Sequence, residues 1–262
     1  MGNELNAFEK YLFSGGEIHY HGSGNNVRFF VDMLEPKNVH INRDAPDMYI
    51  QKSDVVVIVE HFEFDCYKAT RKGSEHRQEL ARIRRKEDAL IPTEAGVSLH
   101  EQIRGNSSCE NYLNNVTRSF SEHYAHIDLY LENLKNEGVI TESSTVKVLF
   151  FAEDISPLGT VVVQPEGDTS GIMMVTLSDS REFLDFLRHN GRVDYVLACS
   201  SYNSERLIWF IDQAELETYY EHVKDYSAMR FLHFNPQVIS YKMLLPDEKM
   251  KAQSQKEIRE IQ

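Results

Sequence analysis

One run constrains the fold more than any other: Val55-Val56-Val57-Ile58-Val59-Glu60-His61-Phe62, continuing to Asp65. It is rich in β-branched and aromatic side chains, so it predicts a long strand. Twelve residues separate Pro46-Asp47 from Glu60, and Gln51-Lys52-Ser53-Asp54 reads as the turn between them. The two segments therefore predict a hairpin that carries Asp47 at the opening of one strand and Glu60 inside the next. Two carboxylates brought together at a sheet centre are costly unless something positive pairs with them. The usual partner at such a place is a divalent cation with oxygen ligands.

The 262 residues allow one large core, or one core with a helical insertion. No apolar run approaches the ~20 residues needed to span a bilayer. Met1 to Asn6 show no charged segment ahead of an apolar one, so no secretion signal is expected, and Asn6 is not the Ser or Thr that myristoylation prefers. Cys66, Cys109 and Cys199 are too scattered for a disulfide framework or a zinc site and read as thiols of a reducing, cytoplasmic compartment. A net charge of −13 argues against a surface coated in phosphate-binding groups. The charge is uneven, however. Between Lys68 and Lys86 eight Lys or Arg face only Glu75 and Glu79. Such a strip either holds a phosphate backbone or is a solvated helix face paired with acidic neighbours.

Glu4 to Leu12 and Asn25 to Leu34 predict helices, and Asn38 to Ile41 a short strand. Gly73-Ser74 reads as a loop ending in an N-cap for a helix from Glu75 to Arg85. Pro92 to Ser108 reads as an irregular connection, and Tyr112 to Asn136 as one long helix ended by Gly138. In the second half, strands are expected at Val146 to Phe151, Gly159 to Gln164, Tyr195 to Cys199 and Leu207 to Ile211. Helices are expected at Arg181 to His189 and Ala214 to Tyr226. The expected class is α/β, a central mixed sheet flanked by helices, forming one domain over 1–245 with a helical excursion at about 92–138. Lys249 to Gln262, nearly devoid of apolar residues, reads as part of a frayed or disordered tail over 246–262.

Pro46-Asp47, the hairpin turn and Glu60-x-Phe62 within an apolar strand resemble the PD-(D/E)XK phosphodiesterase superfamily, with its restriction-endonuclease-like core. The resemblance covers roughly residues 1–90. It implies a nuclease in which Asp47 and Glu60 ligate Mg²⁺ or Mn²⁺, which would polarise the scissile phosphate and lower the pKa of the attacking water. It also implies a lysine that stabilises the transition-state charge, and a further metal contact from Glu9 or Glu4. The sequence departs from the pattern two residues after Glu60, where Phe62 replaces the lysine. Either the basic group has migrated to Lys68, Lys72 or Arg77, with Lys72 preferred beside Gly73-Ser74, or catalysis has been lost and the fold kept. Arg77, Arg82, Arg84 and Arg85 are the residues expected to hold nucleic acid.

A second register competes. Alternate strand side chains share a face, so His61, Glu63 and Asp65 form a polar ladder opposite Glu60, Phe62 and Phe64. That ladder either binds metal, with His61 as ligand or general base, or lines the wet face of a half-exposed strand. Glu153-Asp154 closes another strand with paired carboxylates, as a third acidic element or as turn caps. His19-x-His21 lacks a third ligand at a recognisable distance, and Gly22-x-Gly24 lacks the rest of a phosphate loop. The thirteen Tyr and fourteen Phe are spread over helix and strand periods and read as core and interface. The expected function is a metal-dependent nuclease or a nuclease-derived protein. The alternative is an inactive cytoplasmic interaction or scaffold protein, and a homodimer built on the Tyr112 to Asn136 helix would suit either.

Overall fold

The computed structural model describes residues 3–13, 16–42, 45–71, 73–90, 98–105, 107–156, 161–163, 173–202, 205–223 and 237–244. The chain divides into two compact units, one of residues 1–66 and 108–233, the other of 67–107 and 234–262.

The first unit opens with α1 (Asn3–Phe8), which runs on as a π-helical turn (Glu9–Phe13). It continues with β1 (Ile18–His19), α2 (Asn25–Met33), β2 (Val39–Ile41), β3 (Met48–Lys52) and β4 (Val55–Phe64). The chain then enters the second unit with β5 (Ala69–Thr70), β6 (Gly73–Ser74), α3 (Glu75–Leu90) and β7 (Ser98–Gly105). It returns to the first with α4 (Cys109–Tyr124), α5 (Ile127–Asn136), β8 (Thr145–Asp154), β9 (Val161–Val163) and β10 (Met173–Val175). The unit ends with α6 (Arg181–Arg188), β11 (Tyr195–Tyr202), β12 (Glu205–Asp212) and α7 (Leu216–His222). Finally, β13 (Gln237–Leu244) belongs to the second unit and pairs antiparallel with β7.

A seven-stranded sheet in the order β1-β12-β11-β8-β4-β3-β2 forms the centre of the first unit. β2, β3 and β4 make an antiparallel meander, β8 pairs parallel to β4, and β11 parallel to β8. This is the mixed sheet flanked by helices that the sequence predicts. On one face Phe8, Tyr11 and Phe30, from α1, its π-helical turn and α2, join Val57, Val59, Phe151 and Phe210 in a single apolar cluster. On the other face Phe120 of α4 meets Phe62 and Phe150 of the sheet and Phe186 of α6 edge to face.

Cover on both faces explains why β4 is an apolar run. It also corrects the expectation of a half-exposed strand: His61 and Asp65 are buried, and only Glu63 keeps part of its surface. Two local expectations differ as well. Ser98–Gly105 is a strand, because its ladder partner β13 comes from the far end of the chain. The stretch predicted as one helix from Tyr112 breaks at Ala125-His126 into α4 and α5. Its apolar side, with Tyr112, Val116, Phe120, Ile127, Tyr130 and Leu134, is buried within the protein. Lys249 to Gln262 lies outside the described residues. Among the described residues no helix is long and apolar enough to cross a membrane.

Ser108 caps α4 by accepting the Asn111 backbone N–H at 3.0 Å. Ser108→Ala is expected to cost about 1 kcal/mol, measurable as a lower urea midpoint with unchanged slope.

Candidate functional site

The β3–β4 ladder reaches Met48 opposite Val59, so the next step sets Asp47 level with Glu60. There side chains continue the ladder. Glu60 Oε1 accepts the Asp47 backbone N–H at 3.1 Å, and Asp47 Oδ2 accepts the His61 backbone N–H at 2.9 Å. The Asp47 carbonyl is turned the other way and accepts the Asn42 N–H at 3.0 Å. Asp47 and Glu60 are thus neighbours across the hairpin, each carboxylate holding a backbone N–H of the other strand.

The partner of Glu60 is one that the sequence reading did not name. Glu60 is 3% exposed, and its Oε2 lies 3.0 Å from Nδ1 of His123 on α4. A carboxylate only accepts, so Nδ1 carries the proton of this hydrogen bond and Nε2 is the nitrogen left to exchange a proton with another partner. The His123 ring stacks on Phe62, with centroids 5.3 Å apart and planes at 19°. Its side chain keeps 29% of its surface exposed. The Tyr130 hydroxyl of α5 is 3.4 Å from the same Nδ1. Burial, then the charges of Glu60 and Asp47, push the Tyr130 phenol far up, so it stays protonated. A buried carboxylate fixing the tautomer of a partly exposed histidine is the arrangement of an oriented general base.

The opposite face carries a second polar group at the carboxyl ends of the parallel strands. His61 Nε2 is 3.1 Å from Glu153 Oε2, and Lys10 Nζ donates to Glu153 Oε1 at 2.9 Å. Burial alone would raise the Glu153 pKa. The His61 and Lys10 hydrogen bonds and their charges outweigh it and hold the carboxyl at about 2. Tyr11 is fully buried beside Glu153 and Ser201, and its hydroxyl meets hydrogen-bond geometry with neither. Glu63 is half-buried and level with Glu153 in the ladder. Asp154 belongs to the other face and behaves oppositely. Burial first, then Asp65 and Glu153, push it up to about 7 against hydrogen bonds from Ser156.

Within the first unit, the side chains of Glu9 and His61 do not join Glu60. Glu9 is exposed, and its neighbour Lys10 is the charge that this segment delivers to the sheet. Lys72 lies outside the described residues. Lys68 and Arg77 belong to the second unit, and Lys68 is exposed. Arg82 donates to Glu79 one helical turn earlier at 2.8 Å, while Arg84 and Arg85 are exposed on α3. His61 belongs to the Glu153 group.

A divalent ion needs open oxygen lone pairs from several ligands. Both Glu60 oxygens are engaged by protein donors, and one Asp47 oxygen holds the His61 amide. Among the described residues no group of three or more His, Cys, Asp or Glu is placed to hold a metal. As arranged, these residues do not fit the Mg²⁺ or Mn²⁺ that the resemblance implies.

No family model, curated protein or solved structure matches this chain.

Proposed function

We propose that this protein is a nuclease-derived phosphodiesterase with its reaction centre at Asp47, Glu60 and His123. The observation that carries the reading is the Glu60–His123 pair at the head of the Asp47 hairpin: a buried carboxylate, an oriented imidazole and a neighbouring second carboxylate. The order of elements supports it. Helices, a three-stranded antiparallel meander, helices and then a parallel strand beside the third is the order that a restriction-endonuclease-like core would have. His123, delivered from the helix between β4 and β8, supplies a titratable nitrogen beside Phe62, where the resemblance implies a lysine. The exposed arginines of α3 are candidates for the phosphate backbone.

The test is cleavage of end-labelled single-stranded and duplex DNA and RNA, each in EDTA and in Mn²⁺. At least one substrate is expected to be cut, with loss of cutting in the Asp47→Ala, Glu60→Ala double variant. A wild-type protein that cuts none of them under either condition would refute the reading.

One observation favours the alternative of an inactive interaction protein. The exchange between Asp47 and Glu60 satisfies backbone groups at the end of a ladder, a purely structural use of both carboxylates.

A further inference from the structure

We infer that the Glu60–His123 centre cuts RNA without a divalent ion, using the substrate's own 2′-hydroxyl as the nucleophile; the inference rests on the phosphodiesterase reading above. It starts from the misfit between the hairpin carboxylates and a metal. Glu60 spends one oxygen on the Asp47 N–H and the other on His123 Nδ1. A carboxylate used in this way is a positioning group for an imidazole. His123 Nε2 makes no hydrogen bond among the described residues, and the side chain keeps 29% of its surface exposed. Phe62 stacks on the ring, with centroids 5.3 Å apart.

This geometry selects the nucleophile. Bulk water has a pKa near 15.7, and a lone imidazole is a weak means of making it attack a phosphodiester. A ribose 2′-hydroxyl is already held next to the phosphorus. An oriented intramolecular nucleophile can gain an effective molarity of about 10⁵ M or more. With such a substrate the centre needs only a base.

The step balances without a co-reactant. His123 Nε2 takes the proton from the 2′-hydroxyl as the 2′-oxygen bonds to phosphorus. The bond from phosphorus to the 5′-oxygen breaks, and that oxygen takes a proton from solvent water. The imidazolium then returns its proton to the hydroxide left behind. The products are a 2′,3′-cyclic phosphate end and a 5′-hydroxyl end. His123 is the catalytic residue, and Glu60, acting through it, is a positioning residue.

The full-length protein should be incubated with a chimeric oligonucleotide, DNA except for one internal ribonucleotide, in EDTA. Cleavage is expected at that single position, with a 2′,3′-cyclic phosphate identified by mass spectrometry. The all-DNA oligonucleotide should stay intact. His123→Ala should lose about 10²-fold to 10⁴-fold in rate and regain part of it on adding imidazole, which a merely misfolded variant would not. Glu60→Gln should lower kcat with KM nearly unchanged. Cleavage that requires Mn²⁺, or that proceeds equally on all-DNA, overturns the inference and leaves the phosphodiesterase reading standing. No cleavage of any DNA or RNA, with or without Mn²⁺, removes both.

Discussion

Replacing Phe120 with alanine is expected to destabilise the protein by about 3–5 kcal/mol, the range for truncating a fully buried phenylalanine. Phe120 has no exposed surface. Its ring meets Phe62 and Phe150 on the sheet and Phe183 and Phe186 on α6, so a cavity left there opens on several elements and closes poorly. His123 lies three residues further along α4 and touches the same Phe62, so the substitution also weakens the packing that places the imidazole against Glu60. Urea unfolding checks the effect. A loss below about 1 kcal/mol, within the spread of ordinary surface substitutions, would mean that α4 is not anchored through this ring. Phe120→Leu, which refills most of the volume, should cost clearly less.

The strands of the hairpin were legible because local chemistry settles them. Val55 to Phe64 has no other good use than a buried strand, and Ser53 takes the positive φ of the turn that reverses the chain into it. The pairing of Asp47 with Glu60 follows from the two-residue turn Ser53-Asp54 between Lys52 and Val55; the longer turn expected at Gln51 to Asp54 would have shifted the register by two and set Asp47 opposite Ile58. The rest of the site is long-range. His123 reaches Glu60 only because α4 crosses β4, and no local pattern announces a crossing. One trace was available. Val116, Phe120, His123, Ile127, Tyr130 and Leu134 follow one another at steps of three and four, so His123 occupies a position of the apolar stripe. A titratable group on such a stripe implies a buried partner, and Glu60 is that partner. The faces of β4 could not be assigned from sequence, since both are covered and both carry ionisable groups. Lys10 could not be named as the cation of Glu153, which lies 143 residues away along the chain. The break at Ala125-His126 has no sequence signal that we can identify. The strand Ser98–Gly105 was missed for a plain reason: among the described residues its ladder partner is β13, from the far end of the chain.

The adjacent carboxyls Glu153 and Asp154 predict two separate pH windows of stability, with opposite signs. The folded pKa of Glu153 is depressed from 4.5 to about 2. Its contribution is present above pH 4.5 and lost as the pH falls towards 2. For Asp154 the folded pKa is raised from 3.8 to about 7 by burial, with Asp65 and Glu153 adding to it. The native state then keeps a proton that the unfolded chain has released. This contribution is fully present below pH 3.8 and lost as the pH rises through 7. At about 1.4 kcal/mol per pK unit, the loss is on the order of 4 kcal/mol. Asp154→Asn keeps the shape and an oxygen to accept the Ser156 N–H, now 2.8 Å from Asp154 Oδ1, but it cannot ionise. The variant is therefore expected to match the wild type near pH 4 and to exceed it by a few kcal/mol at pH 8. The two stability curves should diverge between pH 4 and 7. Other groups that titrate in that range are common to both proteins and cancel in the difference. Urea melts of both proteins at half-unit pH steps measure it directly. Curves that run parallel from pH 4 to 8 would show that Asp154 is ionised in the folded protein throughout, and that the buried surroundings of the β8 end accommodate its charge.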